Sequence, residues 1–316
     1  VLMATTMSCG DEFLERKPKG QLTYDTYFEN ADHAVWATNA IYQQFRSWEM
    51  CAFPWIGITD IISDDADKGS TPNDALYVLE LDEFTFDANN AAITGAWTGH
   101  YQAIFRANLA IENIPGIAMD TVLRNRLVGE AKVLRAYAYF RLVQWFGDVP
   151  LITRILNADE YYNQERTSKD VVYDFIENDL LTAIEALPEK SEYPSADLGR
   201  VTKGAARGIL AKVYMARHQY ANAAAQCEAI ITSGEYSLLT RYADNFLPAG
   251  ENGDESIFEI GTVAAQAAVV GPGASPFNMI QGVRGVPNLG WGFNRPSDDL
   301  VTAYEPGDPR RQATII

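Results

Sequence analysis

The chain is short of the residues that most often do chemistry, with three cysteines and three histidines in 316 residues. Three cysteines exclude a framework of several disulfides, and Cys51 with Cys227, far apart on what read as helices, fit two independent small core residues, with one bridge between them as the alternative. His33, His100 and His218 read as lying on three separate helices without a companion His or Cys at ligand spacing, which argues against a zinc site. No Gly-x-Ser-x-Gly elbow, phosphate loop or dinucleotide fingerprint stands in a strand-turn-helix context. No stretch approaches the roughly 20 apolar residues of a membrane-spanning helix. The 25 basic residues form no run and the net charge is −17, so nucleic acid is disfavoured as a ligand.

Carboxylates are plentiful but poorly placed for catalysis. A glycoside hydrolase holds two of them at a set separation across a cleft, whereas Asp64-Asp65 and Asp298-Asp299 are adjacent, so their side chains point apart. Each pair fits surface, capping or ligand-binding duty better, and the chain is read as a non-enzyme. The acidic stretch Ser63 to Asp67 leaves room for a structural calcium ion, although the twelve-residue EF-hand spacing is missing, and no other cofactor is expected.

What the chain has in quantity is amphipathic and all-round apolar helix. In 129–150, Ala131, Leu134, Ala138, Leu142 and Trp145 follow one helical stripe and Val133, Tyr137 and Phe140 a second. Glu130, Lys132, Arg135, Arg141 and Gln144 interrupt them. Gly147 supplies a stop, and Pro150 pushes Val149 into an extended conformation. Helices are also expected over about 31–48 (capped by Asn30 or Asp32), 92–113, 120–146, 168–187 (opened by Ser168), 203–217 and 220–233, with loop-rich chain from 49 to 90. The last pair has the small residues Gly204, Ala205, Gly208 and Ala211 that let a neighbouring helix approach, as in a tetratricopeptide unit. From Pro248 the composition turns to Gly, Pro, Asn and Ala, with one strand expected at Ser256 to Gly261 and loops at Gly271-Pro272-Gly273 and Gly290-Trp291-Gly292.

The exit Trp145-Phe146-Gly147-Asp148-Val149-Pro150 from a Tyr-rich helix resembles the signature of the SusD/RagB family. Trp97 to Asn108, Gly199 to Ala206, Glu255 to Ile260, Gly290 to Pro296 and Asp308 to Arg311 are similar to further family segments in the expected order. The resemblance implies a mainly α fold, a tetratricopeptide-like helical-pair scaffold with a loop-rich region carrying few short strands. It also implies a lipid-anchored, surface-exposed outer-membrane protein of a Gram-negative cell that passes nutrient to a SusC-like TonB-dependent transporter. Family members continue well beyond the equivalent of Ile316, so a C-terminal truncation is expected. The domains are read as a signal-peptide remnant (1–8), a tether (9–30), a helical domain (31–250) and the start of a loop-rich region (251–316). Cys9, after an apolar lead and before Asp11-Glu12, reads alone as either a lipidated residue or a buried cysteine near a frayed end; the likeness favours lipid.

Sugar binding asks for rings that stack on the C–H face of a pyranose and for polar groups that meet its hydroxyls. Trp55, Asp64, Asp65, Tyr77, Trp291, Asn294 and Arg295 lie in or beside the two loop regions and are the candidate ligand-binding residues, whereas Trp97 and Trp145, inside helical stripes, are assigned to packing. An oligosaccharide ligand is the expectation. A peptide ligand is the nearest alternative, followed by a protein-binding tetratricopeptide adaptor and a glycan-cleaving enzyme.

Overall fold

The computed structural model describes residues 27–262, 276–286 and 289–315. Cys9, residues 1–26 and Gly271-Pro272-Gly273 lie outside the described residues.

The fold is mainly α. Its frame is α1 (Ala31–Phe45), α5 (Ala91–Asn113), α6 (Thr121–Phe146), α7 (Lys169–Ala186), α8 (Lys203–Ala216) and α9 (Tyr220–Ser233), each packed on its sequence neighbour, with α1 lying on α5 and α6. Side-chain caps start several of them: Asn30 accepts from His33 N–H, Asn90 from Ala92 and Ile93, Asp120 from Leu123 and Thr202 from Ala205. The start of α7 differs from the expectation. Ser168 makes no capping bond, and the Asp148 carboxylate, from the exit of α6, accepts the Lys169 N–H at 2.8 Å. The sharp turn at Gly147, whose φ is +68°, puts Asp148 within reach.

α6 is the central helix. Ala131, Leu134, Ala138 and Leu142 of one stripe and Val133 and Phe140 of the other are buried, and Trp145 and Tyr137 are half-buried. The polar interruptions are absorbed by partners. Glu130, fully buried, accepts from the Tyr42 hydroxyl at 2.7 Å and from Arg200 Nε at 3.0 Å. Arg135 holds Asp179 of α7 with two bonds, Nε to Oδ2 at 2.8 Å and Nη2 to Oδ1 at 2.9 Å, and gives Nη1 to the Asn108 carboxamide oxygen of α5 at 2.7 Å. The chain after α6 is pinned to these helices. Tyr101 donates to the Pro150 carbonyl, and the Tyr139 hydroxyl both donates to and accepts from the Ile152 backbone.

Four expectations need correction. The stretch from 49 to 90 is not mostly loop: it holds α2 (Trp48–Cys51), α3 (Phe53–Ile56), a π-turn at Gly57–Ile61, strand β1 (Ala66–Gly69) and α4 (Leu76–Asp82). Pro54 sits in the first turn of α3, where its missing N–H costs nothing, so it opens a helix. No strand forms at 256–261; Phe258 and Ile260 pack on the main core and Lys190 Nζ takes the Ser256 carbonyl at 3.0 Å, so no ladder of paired backbone develops there. His218 lies in the turn after α8 with φ +58° and is not on a helix. Cys227 is exposed on α9, outside the core, and is not bridged to Cys51.

The strands that do form are β1 and β2 (Phe293–Pro296), an antiparallel ribbon in the register Ala66 to Pro296, Asp67 to Arg295 and Gly69 to Phe293. Gly69 has φ +69°, and a Cβ there would collide with the Gly292 carbonyl. A glycine is therefore required where the two segments cross. α10 (Phe277–Gln281) packs against β2, and α11 (Asp298–Ala303) and α12 (Pro309–Thr314) follow. A second, smaller core forms here from Ala52, Phe53, Ile56, Ile61, Val78, Ile280 and Phe293, with Trp48, Trp55, Tyr77 and Trp291 on its rim.

Candidate functional site

The smaller core is where aromatic rings reach an open surface. Phe53, held by α3, is the hub: Trp291 stacks on it at 6.1 Å with planes 26° apart, Phe293 meets it edge-on at 4.6 Å, and Trp48 and Tyr77 approach at 5.7 and 6.0 Å. Asn90, the cap of α5, fixes α4 and with it Tyr77, since its amide donates to the Tyr77 carbonyl and to Glu80, both at 2.7 Å. Beside these rings lies an open cavity of about 650 Å³, lined by Phe53, Asp74, Arg284, Trp291 and Phe293 with Gly285 and Gly290. That is the volume of an ordinary ligand pocket.

Its polar wall is one ion pair. Arg284 Nη1 donates to Asp74 Oδ2 at 2.8 Å and to Ser70 Oγ at 2.6 Å, and Ser70 donates to the same carboxylate. The Arg284 bond, then the Ser70 bond, hold the Asp74 carboxyl below its usual range, so it is a carboxylate at neutral pH. Lys68 is withdrawn beneath the site. Its ammonium donates to the Thr71 and Asp74 carbonyls, both at 2.8 Å, and stands 5.4 Å from the centre of the Phe293 ring. Burial lowers its pKa, with Asp74 and Asp82 opposing.

Of the seven residues expected from sequence, Trp291 lines the cavity and Tyr77 stands behind Phe53. The other five are placed elsewhere. Trp55 packs edge-on against Trp145 at 5.8 Å under the Arg141 guanidinium. Asn294 points inward, its Nδ2 donating to Asp60 and Gln281 at 3.0 and 2.7 Å while its buried Oδ1 has no partner among the described residues, and Arg295 pairs with Asp67 across the ribbon at 2.8 Å. Asp64 and Asp65 are exposed at the end of the ribbon, where their carbonyls accept from Ser297. Phe53, Phe293, Asp74 and Arg284 were missed. For Arg284 the available signal was its setting in Gly282-Val283-Arg284-Gly285, a lone cation among turn residues.

No described group of three His, Cys, Asp or Glu side chains could hold a metal ion, and Asp67 of the 63–67 stretch is already paired with Arg295. Asp298 and Asp299 sit in the first turn of α11, where the helix dipole favours negative charge. Trp97, assigned to packing, does pack on Phe146 at 5.1 Å, yet it also borders two further open cavities, of about 440 and 670 Å³.

Comparison with known families decides the relationship. Residues 13–215 match the SusD-like family described as "Starch-binding associating with outer membrane". The chain belongs to the SusD-like family. A SusD-like protein P25 from Formosa agariphila is 28% identical over 268 residues, covering 82% of this chain and 50% of the relative. A SusD-like protein from Bacteroides ovatus is 28% identical over 341 residues, covering all of this chain and 59% of the relative. Among solved structures, a laminarin binding SusD-like protein superposes with a TM-score of 0.79 at 28% identity, over 91% of this chain and 66% of that one. Surface glycan-binding protein A from Bacteroides thetaiotaomicron, in complex with laminarihexaose, shares the fold with a TM-score of 0.75 at 24% identity, over 90% of this chain and 62% of that one. The chain thus spans between half and two thirds of the length of these SusD-like proteins.

Proposed function

We propose that this SusD-like protein captures an oligosaccharide in the Phe53–Trp291 cavity and passes it to a SusC-like TonB-dependent transporter, from a position on the outer membrane held by lipid on Cys9. The observation that carries the reading is the stacked Phe53–Trp291 pair beside the Asp74–Arg284 pair. Rings offer a flat apolar face to a pyranose, and the charged pair offers fixed donors and acceptors to its hydroxyls. The laminarin-binding description of one similar structure and the laminarihexaose complex of another support the ligand class. The acid pairs at 64–65 and 298–299 are not among the residues that line the cavity, and Asp74 there is tied to Arg284, so the site is read as one that binds without cleaving.

Titration with laminarihexaose and a panel of other oligosaccharides tests it. Trp291 is half-buried at the rim, so Trp291→Ala leaves the fold in place while removing the stacking face. Affinity is expected to fall about 5- to 30-fold, from the one or two kcal/mol that an aromatic contact supplies. Unchanged affinity in that variant, or release of reducing ends from the panel by the wild-type protein, would refute the reading.

A further inference from the structure

The cations on the site face are all engaged. Lys68 is capped by carbonyls, Arg284 is bound to Asp74, and Arg295 is bound to Asp67. Against these three, residues 57–82 and 276–299 carry nine carboxylates. Asp64, Asp65, Asp298 and Asp299 are exposed and have no cation within ion-pair distance among the described residues. Ser297 bonds to the carbonyls of both Asp64 and Asp65, so these four acids gather at one end of the β1–β2 ribbon.

We infer that the cavity takes uncharged glycans and turns away uronates and sulfated sugars, and that Asp74 is the residue setting that choice. The inference rests on the oligosaccharide reading above and deepens it. Among the described residues the cavity wall offers an anionic sugar no unpaired guanidinium or ammonium. To reach Arg284 it must displace a carboxylate that the protein itself holds at 2.8 Å, and it does so in a field of surplus negative charge. A neutral hexose meets no such opposition. Its hydroxyls donate to the Asp74 carboxylate and accept from the Arg284 N–H groups that Asp74 and Ser70 leave over, without breaking the pair. Arg284 thereby acts as a hydrogen-bond donor whose charge is offset by Asp74.

The test compares neutral hexasaccharides (laminari-, malto- and cellohexaose) with hexagalacturonate and hexamannuronate, for the wild type, Asp74→Asn and Trp291→Ala. In the wild type a neutral probe is expected to bind with little dependence on salt, and every anionic probe about 100-fold or more weaker than the best neutral one. Asp74→Asn removes the internal counter-ion of Arg284. The ratio of anionic to neutral affinity is expected to rise about 10-fold or more, and the gain to vanish at high salt. Thermal melting of the variant, whose substituted side chain lies at the surface of the cavity, controls for folding. An anionic probe that binds the wild type as tightly as any neutral one, in a manner sensitive to Trp291→Ala, overturns the inference and leaves the oligosaccharide reading standing. An unchanged ratio in Asp74→Asn overturns it as well. Failure of every probe to bind overturns both.

Discussion

Replacing Arg135 by Met is expected to cost about 3–5 kcal/mol of folding free energy, the usual consequence of stripping one partner from a buried ion pair. The guanidinium is the meeting point of three helices and a loop: it binds Asp179 of α7 twice, Asn108 of α5 once and the Thr153 carbonyl, and it lies over the Phe175 ring at 4.8 Å. Asp179 is left behind at 2% exposure with no replacement donor. Burial already raises its pKa against the bonds and charge of Arg135, and losing Arg135 raises it further. Urea unfolding followed by circular dichroism measures the loss. The double variant Arg135→Met with Asp179→Leu is expected to recover much of it, because two apolar side chains leave no orphaned charge. A single variant that loses less than about 1 kcal/mol would show the pair to be dispensable.

Acid is expected to weaken the fold through one imidazole. His100 on α5 is fully buried, with Nδ1 at 2.7 Å from the Ala96 carbonyl and Nε2 without a partner among the described residues, and the Trp145 ring meets it edge-on at 5.1 Å. Burial, with the nearby Arg141 charge adding to it and the Ala96 bond opposing, lowers its pKa from 6.5 to about 4. The folded value lies below the unfolded one, so between them the unfolded chain binds a proton that the native state refuses. The contribution is complete above about pH 6.5 and shrinks as pH falls toward 4, by about 3 kcal/mol in total. His100→Phe keeps an aromatic ring in the space and cannot titrate. Its stability is expected to fall less steeply over that window than the wild type's, and parallel curves would rule the imidazole out as the source.

The long helices were legible because each repeats its apolar period over fourteen residues or more, and four of the six open on a side-chain cap, Asn30, Asn90, Asp120 or Thr202. α2, α3 and α4 are four to seven residues long, too short for a period to stand out, and Phe53-Pro54 reads locally as loop chemistry. The ribbon was hidden for another reason. Asp67 and Arg295 are 228 positions apart, and no local pattern in β1 announces a partner so distant. The same distance explains the site. Trp291, a ring among glycines, stands out in the sequence, whereas Phe53 and Asp74 become wall residues only once Arg284 and Trp291 are brought beside them. Asn294 and Arg295 have the chemistry of sugar ligands, but neighbouring acceptors take their donors first: Asp60 and Gln281 hold the Asn294 Nδ2 and Asp67 holds the Arg295 guanidinium.

That separation also orders the events of synthesis. Each long helix rests on its predecessor, so the frame can settle hairpin by hairpin as the chain leaves the ribosome. The aromatic floor around Phe53 and Trp48 emerges early and waits, wet and uncovered, for more than two hundred further residues before Phe293 arrives to close over it. A nascent chain paused in that interval presents a greasy patch beside an already folded helical frame, which is the kind of surface that holding chaperones grip.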